Sequence, residues 1–411
     1  MNRSSKKISG LLVTVVAALV VVACGRIEET GTALIGTVVG DLRFSAAHDY
    51  PAELLTSFGS ASTIDYADFD RDGYLDLVIG NTGGGPALLR GGPGGVFGPP
   101  NVIAAYVDTD SYVVRTGDFN GDGLTDLATG SYGTTRLTVL LGDGHGNFRV
   151  SGQYFLGAPP TDFAIADFNR DGIPDIIAST YVGNTLTVFL GNGDGTFRTA
   201  PSLAAGNSTL VLFAEDFNGD GITDLAYTDL APTDMPLNGS LNILLGNGDA
   251  TFLPKVSYTI GTIPEVIQYG DLNEDGKKDL LVTNAATNEV SIFYGLGAGR
   301  FASEKRFSAG PFDGGLEGMR LADFDRDGHL DLVVSQITTN SIRTFKGDGR
   351  GNLIFVNEYP VANFPEQFLA VDLNGDHCLD LVVNGNLPPV GPTDVGTARV
   401  SVFTNQSAGC L

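Results

Sequence analysis

The sequence predicts an all-β fold: a seven-bladed β-propeller of four-stranded blades, with the ring closed by an N-terminal strand in the last blade. Three observations carry this. A decapeptide of the type "DFNGDGLTDL" (residues 118–127) recurs seven times, opening at Asp68, Asp118, Asp167, Asp216, Asp271, Asp323 and Asp372. The intervals are 50, 49, 49, 55, 52 and 49 residues, and a fixed period of this length marks a repeat architecture. Each unit also alternates apolar and polar residues at strand spacing, with Gly-rich turns between. A chain of 411 residues exceeds one ordinary core, but a closed array of repeats holds it as one unit. Its 56 glycines and 18% charged residues fit a turn-rich β protein rather than a disordered one.

The first element is a segment apart. Arg3, Lys6 and Lys7 form a basic head, and residues 11–22 are an apolar run too short to span a bilayer comfortably as a helix. The run ends in "VVACG" (residues 21–25), which resembles the lipobox of bacterial lipoproteins. That resemblance implies a signal peptide over residues 1–23, cleavage before Cys24, and a lipid on Cys24 that anchors the protein to a membrane. Gly25 supplies no acidic retention signal, so an extracytoplasmic place on the outer membrane or cell surface is expected. Residues 24–41 show no strand alternation and are expected to be a tether; residues 42–411 are the propeller. Loss of residues 1–23 removes three positive charges and takes the net charge from −24 to −27. Such acidity excludes nucleic acid as a partner, because phosphate recognition needs clustered Lys and Arg. A monomer is expected.

The third unit shows the repeating elements. In "DFAIADFNRDGIPDIIAST" (residues 162–180) an alternating stretch, strand A, runs into a polar loop and then an apolar strand B. "NTLTVFLGNGDGTFRTAPSLAAG" (residues 184–206) supplies strand C, a Gly-rich turn and a weaker strand D. The seventh unit stops after strand C at "TARVSVFTN" (residues 397–405). Residues 42–50 match a D strand, with Phe44 where "GTF" puts its Phe, so they are expected to complete the last blade. Cys378 and Cys410 both belong to that blade, and an oxidising compartment permits a disulfide between them.

The decapeptide reads D-x-[DN]-x-D-G-x-x-D. Its positions 1, 3, 5 and 9 are Asp68, Asp70, Asp72 and Asp76 in unit one, and Asp118, Asn120, Asp122 and Asp126 in unit two. Units three and four place there Asp167, Asn169, Asp171 and Asp175, then Asp216, Asn218, Asp220 and Asp224. Units five and six place Asp271, Asn273, Asp275 and Asp279, then Asp323, Asp325, Asp327 and Asp331. Unit seven places Asp372, Asn374, Asp376 and Asp380. These positions hold 23 of the 48 acidic residues, so a cation is expected in the loops. Hard oxygen donors in a flexible loop suit Ca²⁺. Position 7 can add a backbone carbonyl, from Tyr74, Leu124, Ile173, Ile222, Lys277 or His329. Gly at position 6 permits the left-handed turn that wraps such a loop. An EF-hand is excluded, because position 12 is Ile79, Thr129, Ala178, Tyr227, Val282, Val334 or Val383 and never acidic. The competing reading is an Asp-rich turn satisfied by its own backbone.

At these residues the chain resembles the FG-GAP/VCBS repeat family, the propeller repeats also seen in the head of integrin α subunits, over about residues 42–411. The resemblance implies six or seven calcium ions, one in each A–B loop. Unit seven departs from it, since "DLNGDHCLDL" puts His377 at the glycine position.

In a four-stranded meander the A–B and C–D turns share one face, and the B–C and D–A loops share the other. A partner is expected on the second face, where the longest loops lie. These are residues 228–240 with Asp229 and Asp234, residues 310–318 with Asp313 and Glu317, and residues 384–396. Tyr132 and Tyr181 add aromatic surface in short B–C loops. No catalytic motif is present: none of the four His lies in H-E-x-x-H, and no G-x-S-x-G occurs. A calcium-stabilised adhesion or binding propeller for protein or glycan is therefore the leading reading. The alternative is a lectin or a polysaccharide lyase-like enzyme, and the absence of Trp weakens the lectin.

Overall fold

The computed structural model describes residues 42–52, 61–81, 83–106, 108, 110–206, 208–230, 238–310, 315–361, 364–386 and 398–410. The signal peptide, Cys24, the tether, Asp234 and Asp313 lie outside the described residues. Seven antiparallel sheets form the blades. Blade 2 is representative, with strand A Val113–Gly117, B Asp126–Ser131, C Arg136–Gly142 and D Phe148–Phe155 paired in that order. The seven A strands are Ala61–Ala67, Val113–Gly117, Pro160–Ala166, Thr209–Glu215, Pro264–Gly270, Leu316–Ala322 and Phe364–Val371. Each packs against the next, and the seventh packs against the first, so they line a central channel.

The seventh blade closes as the sequence predicts. His48–Pro51 pairs antiparallel with strand C, Ala398–Phe403, and Phe44 bridges Asn405. The Phe44 ring stands edge-on to Phe324 of blade 6, with centroids 5.8 Å apart. Elsewhere the same place is filled from within the repeat: Phe119 meets Phe197, and Phe168 meets Phe252. Cys378 and Cys410 are joined, with Cα atoms 5.8 Å apart, and tie loop 7 to the C-terminal turn.

Seven apolar clusters, one between each pair of neighbouring blades, make the core among the described residues. Strand D departs from the regular picture in two blades. It is only Asn101–Val102 in blade 1, and it is split into Phe197–Thr199 and Leu203–Ala204 in blade 3. Pro99 and Pro100 precede the first and Pro201 interrupts the second, and proline has no N–H to give the ladder.

Candidate functional site

The A–B loops and the C–D turns share one face, where they bond to each other. The Gly146 N–H at the C–D tip of blade 2 donates to the Phe69 carbonyl in the loop of blade 1, and Gly195 donates likewise to Phe119, both at 3.0 Å. The Ala250 and Gly351 N–H groups do the same to Phe168 and Leu272, so loops 1, 2, 3 and 5 are braced by the next blade.

All seven loops share one backbone. Position 6 is left-handed throughout, and position 4 is too, even where it is Arg71, Arg170, Glu274 or Arg326. His377 accepts the strain at φ 67°, which costs an L residue on the order of 1 kcal/mol. Its N–H donates to Asp372 Oδ2 at 2.8 Å, as Gly123 does to Asp118 Oδ2 at 2.9 Å. Loop 7 therefore keeps the geometry of the others. At position 5, Oδ1 accepts the N–H of position 7, as in Leu124 to Asp122 and Ile173 to Asp171.

Position 9 has a second task that the sequence does not show. Asp76, Asp126, Asp175, Asp224, Asp279 and Asp331 are fully buried and Asp380 nearly so. Oδ2 of each accepts the N–H of position 2 at 2.9–3.1 Å. Oδ1 accepts the N–H at the end of strand C, from Gly91, Gly142, Gly191, Gly246, Gly295, Gly347 or Asn405, at 2.7–3.0 Å. The carboxylate clamps the loop to the sheet. A Cβ at Gly142 would stand 2.4 Å from the Thr125 carbonyl oxygen, so the clamp also explains the glycine. Burial pushes Asp126, Asp175 and Asp224 up to about 6 against the pull of these backbone bonds, and nearby loop carboxylates push the same way.

The donor set fits a calcium ion. In loop 1, carboxylate oxygens of Asp68, Asp70 and Asp76 lie within 4.8 Å of one another. In loop 6 those of Asp323, Asp325 and Asp327 do so too, but there the Lys346 ammonium already contacts the last two. Asp70 Oδ1 is buried and has no hydrogen-bond partner. An orphaned carboxylate oxygen among others asks for a cation.

On the opposite face the channel mouth gathers residues from four blades. Glu265, Glu317 and Glu366 each stand six places before the first Asp of their loop, at the start of strand A in blades 5, 6 and 7. Tyr112 holds the same place in blade 2. Glu317, expected in a loop, is in the inner strand Leu316–Ala322. All three glutamates are half-buried, and protein packs around Glu265 and Glu317. Burial raises Glu317 to about 7. Burial also drives Glu265 well above the carboxylate range, reinforced by the charges of Glu317 and Glu366. Burial raises Tyr112, with Glu366, Glu265, Glu317 and Tyr132 adding to it. The rings of Tyr112 and Tyr132 lie 6.0 Å apart, and Tyr181 feels Tyr132 and Glu265. The structure thus brings Tyr132, Tyr181 and Glu317 together and adds Glu265, Glu366 and Tyr112. Their shared offset in the repeat register was the signal available for them.

Asp229 does not join this group. It is buried and takes a hydrogen bond from the Ser240 hydroxyl, which turns it away from solvent. Deeper in the channel, Arg115 of blade 2 pairs with Asp162 of blade 3 at 2.5 Å. Asp65 of blade 1 accepts from the Thr116 N–H at 2.9 Å.

The FG-GAP-like repeat profile matches residues 68–129, 118–178, 167–227, 216–282, 271–334 and 323–383, six windows that link the seven loops in series. BBS1N, solved in complex with ARL6DN, is similar at a TM-score of 0.61 and 11% identity, over 90% of this chain and 99% of that chain. An Agrocybe aegerita lectin, solved for its specific recognition of non-reducing terminal N-acetylglucosamine, gives 0.52 at 19% identity, over 73% of this chain and 80% of that one. Both likenesses are of fold, that of a propeller.

Proposed function

This chain belongs to the FG-GAP-like repeat family, and from that premise we propose that it is a lipid-anchored, calcium-stabilised binding propeller. It takes a protein or glycan on the face opposite the acidic loops. The observation that carries the proposal is the channel mouth, where Glu265, Glu317 and Glu366 meet Tyr112, Tyr132 and Tyr181. Titratable groups shifted by burial at a concave opening are the ordinary mark of a binding site. Aromatic rings supply contact area with little side-chain entropy to lose. Propellers of similar fold were solved with a protein partner and for sugar recognition, so both ligand classes belong in the test.

The experiment is a glycan and matrix-protein array probed with the calcium-loaded soluble chain, then with Glu265→Gln/Glu317→Gln and with Tyr181→Ala. Binding is expected to weaken at least about tenfold in each variant, the effect of a central contact worth about 1.4 kcal/mol. Unchanged binding in both variants would remove the channel mouth from the reading. A carboxyl group near neutrality is also what a general acid or base requires. It favours a carbohydrate-active enzyme as the second reading, which cleavage of a bound glycan would reveal.

The lipobox resemblance at residues 21–25 supports the anchor. Cys24→Ser is expected to abolish labelling by a palmitate analogue and to release the protein from the membrane fraction. Retained labelling in the variant would refute the anchor.

A further inference from the structure

Position 3 of the loop is Asp in blades 1 and 6 and Asn in the other five. The residue just before the one whose N–H binds position 9, close to the end of strand C, varies in step with it. It is Arg90 in blade 1 and Lys346 in blade 6, but Leu141, Leu190, Leu245, Tyr294 and Thr404 elsewhere. A cation therefore stands at this place only where the loop carries a fourth carboxylate. Counted over positions 1, 3, 5 and 9 and this residue, every loop has a formal charge of −3.

The two cations are held differently. Arg90 Nη1 meets Asp70 Oδ2 at 2.5 Å, while its Nη2 donates to the His145 carbonyl of the next blade at 2.7 Å. The guanidinium is fixed to one side, and Asp70 Oδ1 stays buried and unpartnered. Lys346 instead reaches between two carboxylates. Its ammonium contacts Asp325 Oδ2 and lies 2.9 Å from Asp327 Oδ2. In loops 2, 3 and 4 the Asn amide occupies the corresponding link, donating to position 5 at 2.9 Å.

We infer that Lys346 is a built-in cation that takes the place of the metal ion in loop 6, so that this loop is satisfied without calcium while loop 1 is not. The inference rests on the calcium reading above. An ammonium is a compact point charge with three donors, suited to bridging carboxylates. Because it is tethered to strand C, it is present at a high effective concentration, whereas calcium must arrive from solution and break both pairings. Arg90 cannot act in this way, since its planar fork is committed to the His145 carbonyl.

The test is calcium bound per full-length chain, measured by equilibrium dialysis with metal analysis. Lys346→Met keeps an apolar stem without the charge and is expected to bind one ion more than the wild type. The double variant Asn120→Asp/Leu141→Lys moves the blade 6 arrangement into loop 2 and is expected to bind one fewer. Seven ions in the wild type overturn the inference, as does an unchanged count in both variants. If Lys346→Met does not fold, the count in the double variant decides. No calcium in the wild type refutes the calcium reading itself, and the surrogate with it.

Discussion

Chelation is expected to lower the melting temperature of the whole propeller by roughly 10 °C. Three or four carboxylates in one exposed loop repel one another unless a cation lies among them, and in loops 2, 3 and 4 no basic side chain among the described residues pairs with them. Extracellular calcium modules bind at roughly 10⁻⁴–10⁻³ M. A site with Kd of about 0.1 mM in about 1 mM ion gains about 1.4 kcal/mol by mass action. Six such sites, acting independently, contribute about 8 kcal/mol, as much as a typical domain's net stability. At about 2 cal/mol/K of unfolding entropy per residue, a propeller of roughly 370 residues converts that sum to about 10 °C. Asp122→Ala should lose one site's share in calcium and close to nothing in chelator. Melting curves with and without chelator, together with metal analysis of the purified protein, check both statements. Coincident curves would remove calcium from the account of stability.

The period and the four strands per unit were legible because each is a local pattern repeated along the chain, and the manner of closure because the seventh unit alone stops after strand C. Phe44 could be assigned to the last blade because residues 42–50 match the D strand that the seventh unit lacks, with Phe44 where most units put their phenylalanine. Other features needed the third dimension. The sequence shows that position 9 offers an oxygen, and it does not show which N–H that oxygen faces. Left-handed backbone at position 4 was hidden because Arg71, Arg170, Glu274 and Arg326 occupy it in four of the seven loops. Lys346 lies 21 residues beyond Asp325, and only the antiparallel return of strand C brings its ammonium to the loop. Asp229 had the composition of a surface ligand group and was buried by Ser240 from the neighbouring strand. The glutamates at the channel mouth are a different case. They share a register that was readable, but their convergence depends on the ring, which places starts of strands some fifty residues apart around one opening.

The clamp gives the sharpest separation of structure from metal binding. Asp175→Ala is expected to cost about 3 kcal/mol that persists in chelator, lowering the melting temperature there by roughly 4 °C, with the ion's share added to it in calcium. Asp175 Oδ2 accepts the Phe168 N–H at 3.0 Å, and Oδ1 accepts the Gly191 N–H at 2.9 Å. Removing the carboxylate leaves both donors buried without partners, at about 1–3 kcal/mol each. The total falls in the lower half of that range because the wild-type carboxylate is itself held at a cost, with burial raising it to about 6. Asp175→Asn keeps one acceptor and turns an amide N–H against a backbone N–H, so about half the loss remains. Asp171, at position 5, is the control: it is exposed, and its alanine variant should lose stability in calcium alone. If the cost of Asp175→Ala disappears in chelator as the cost of Asp171→Ala should, then position 9 acts through the ion and the clamp contributes nothing of its own.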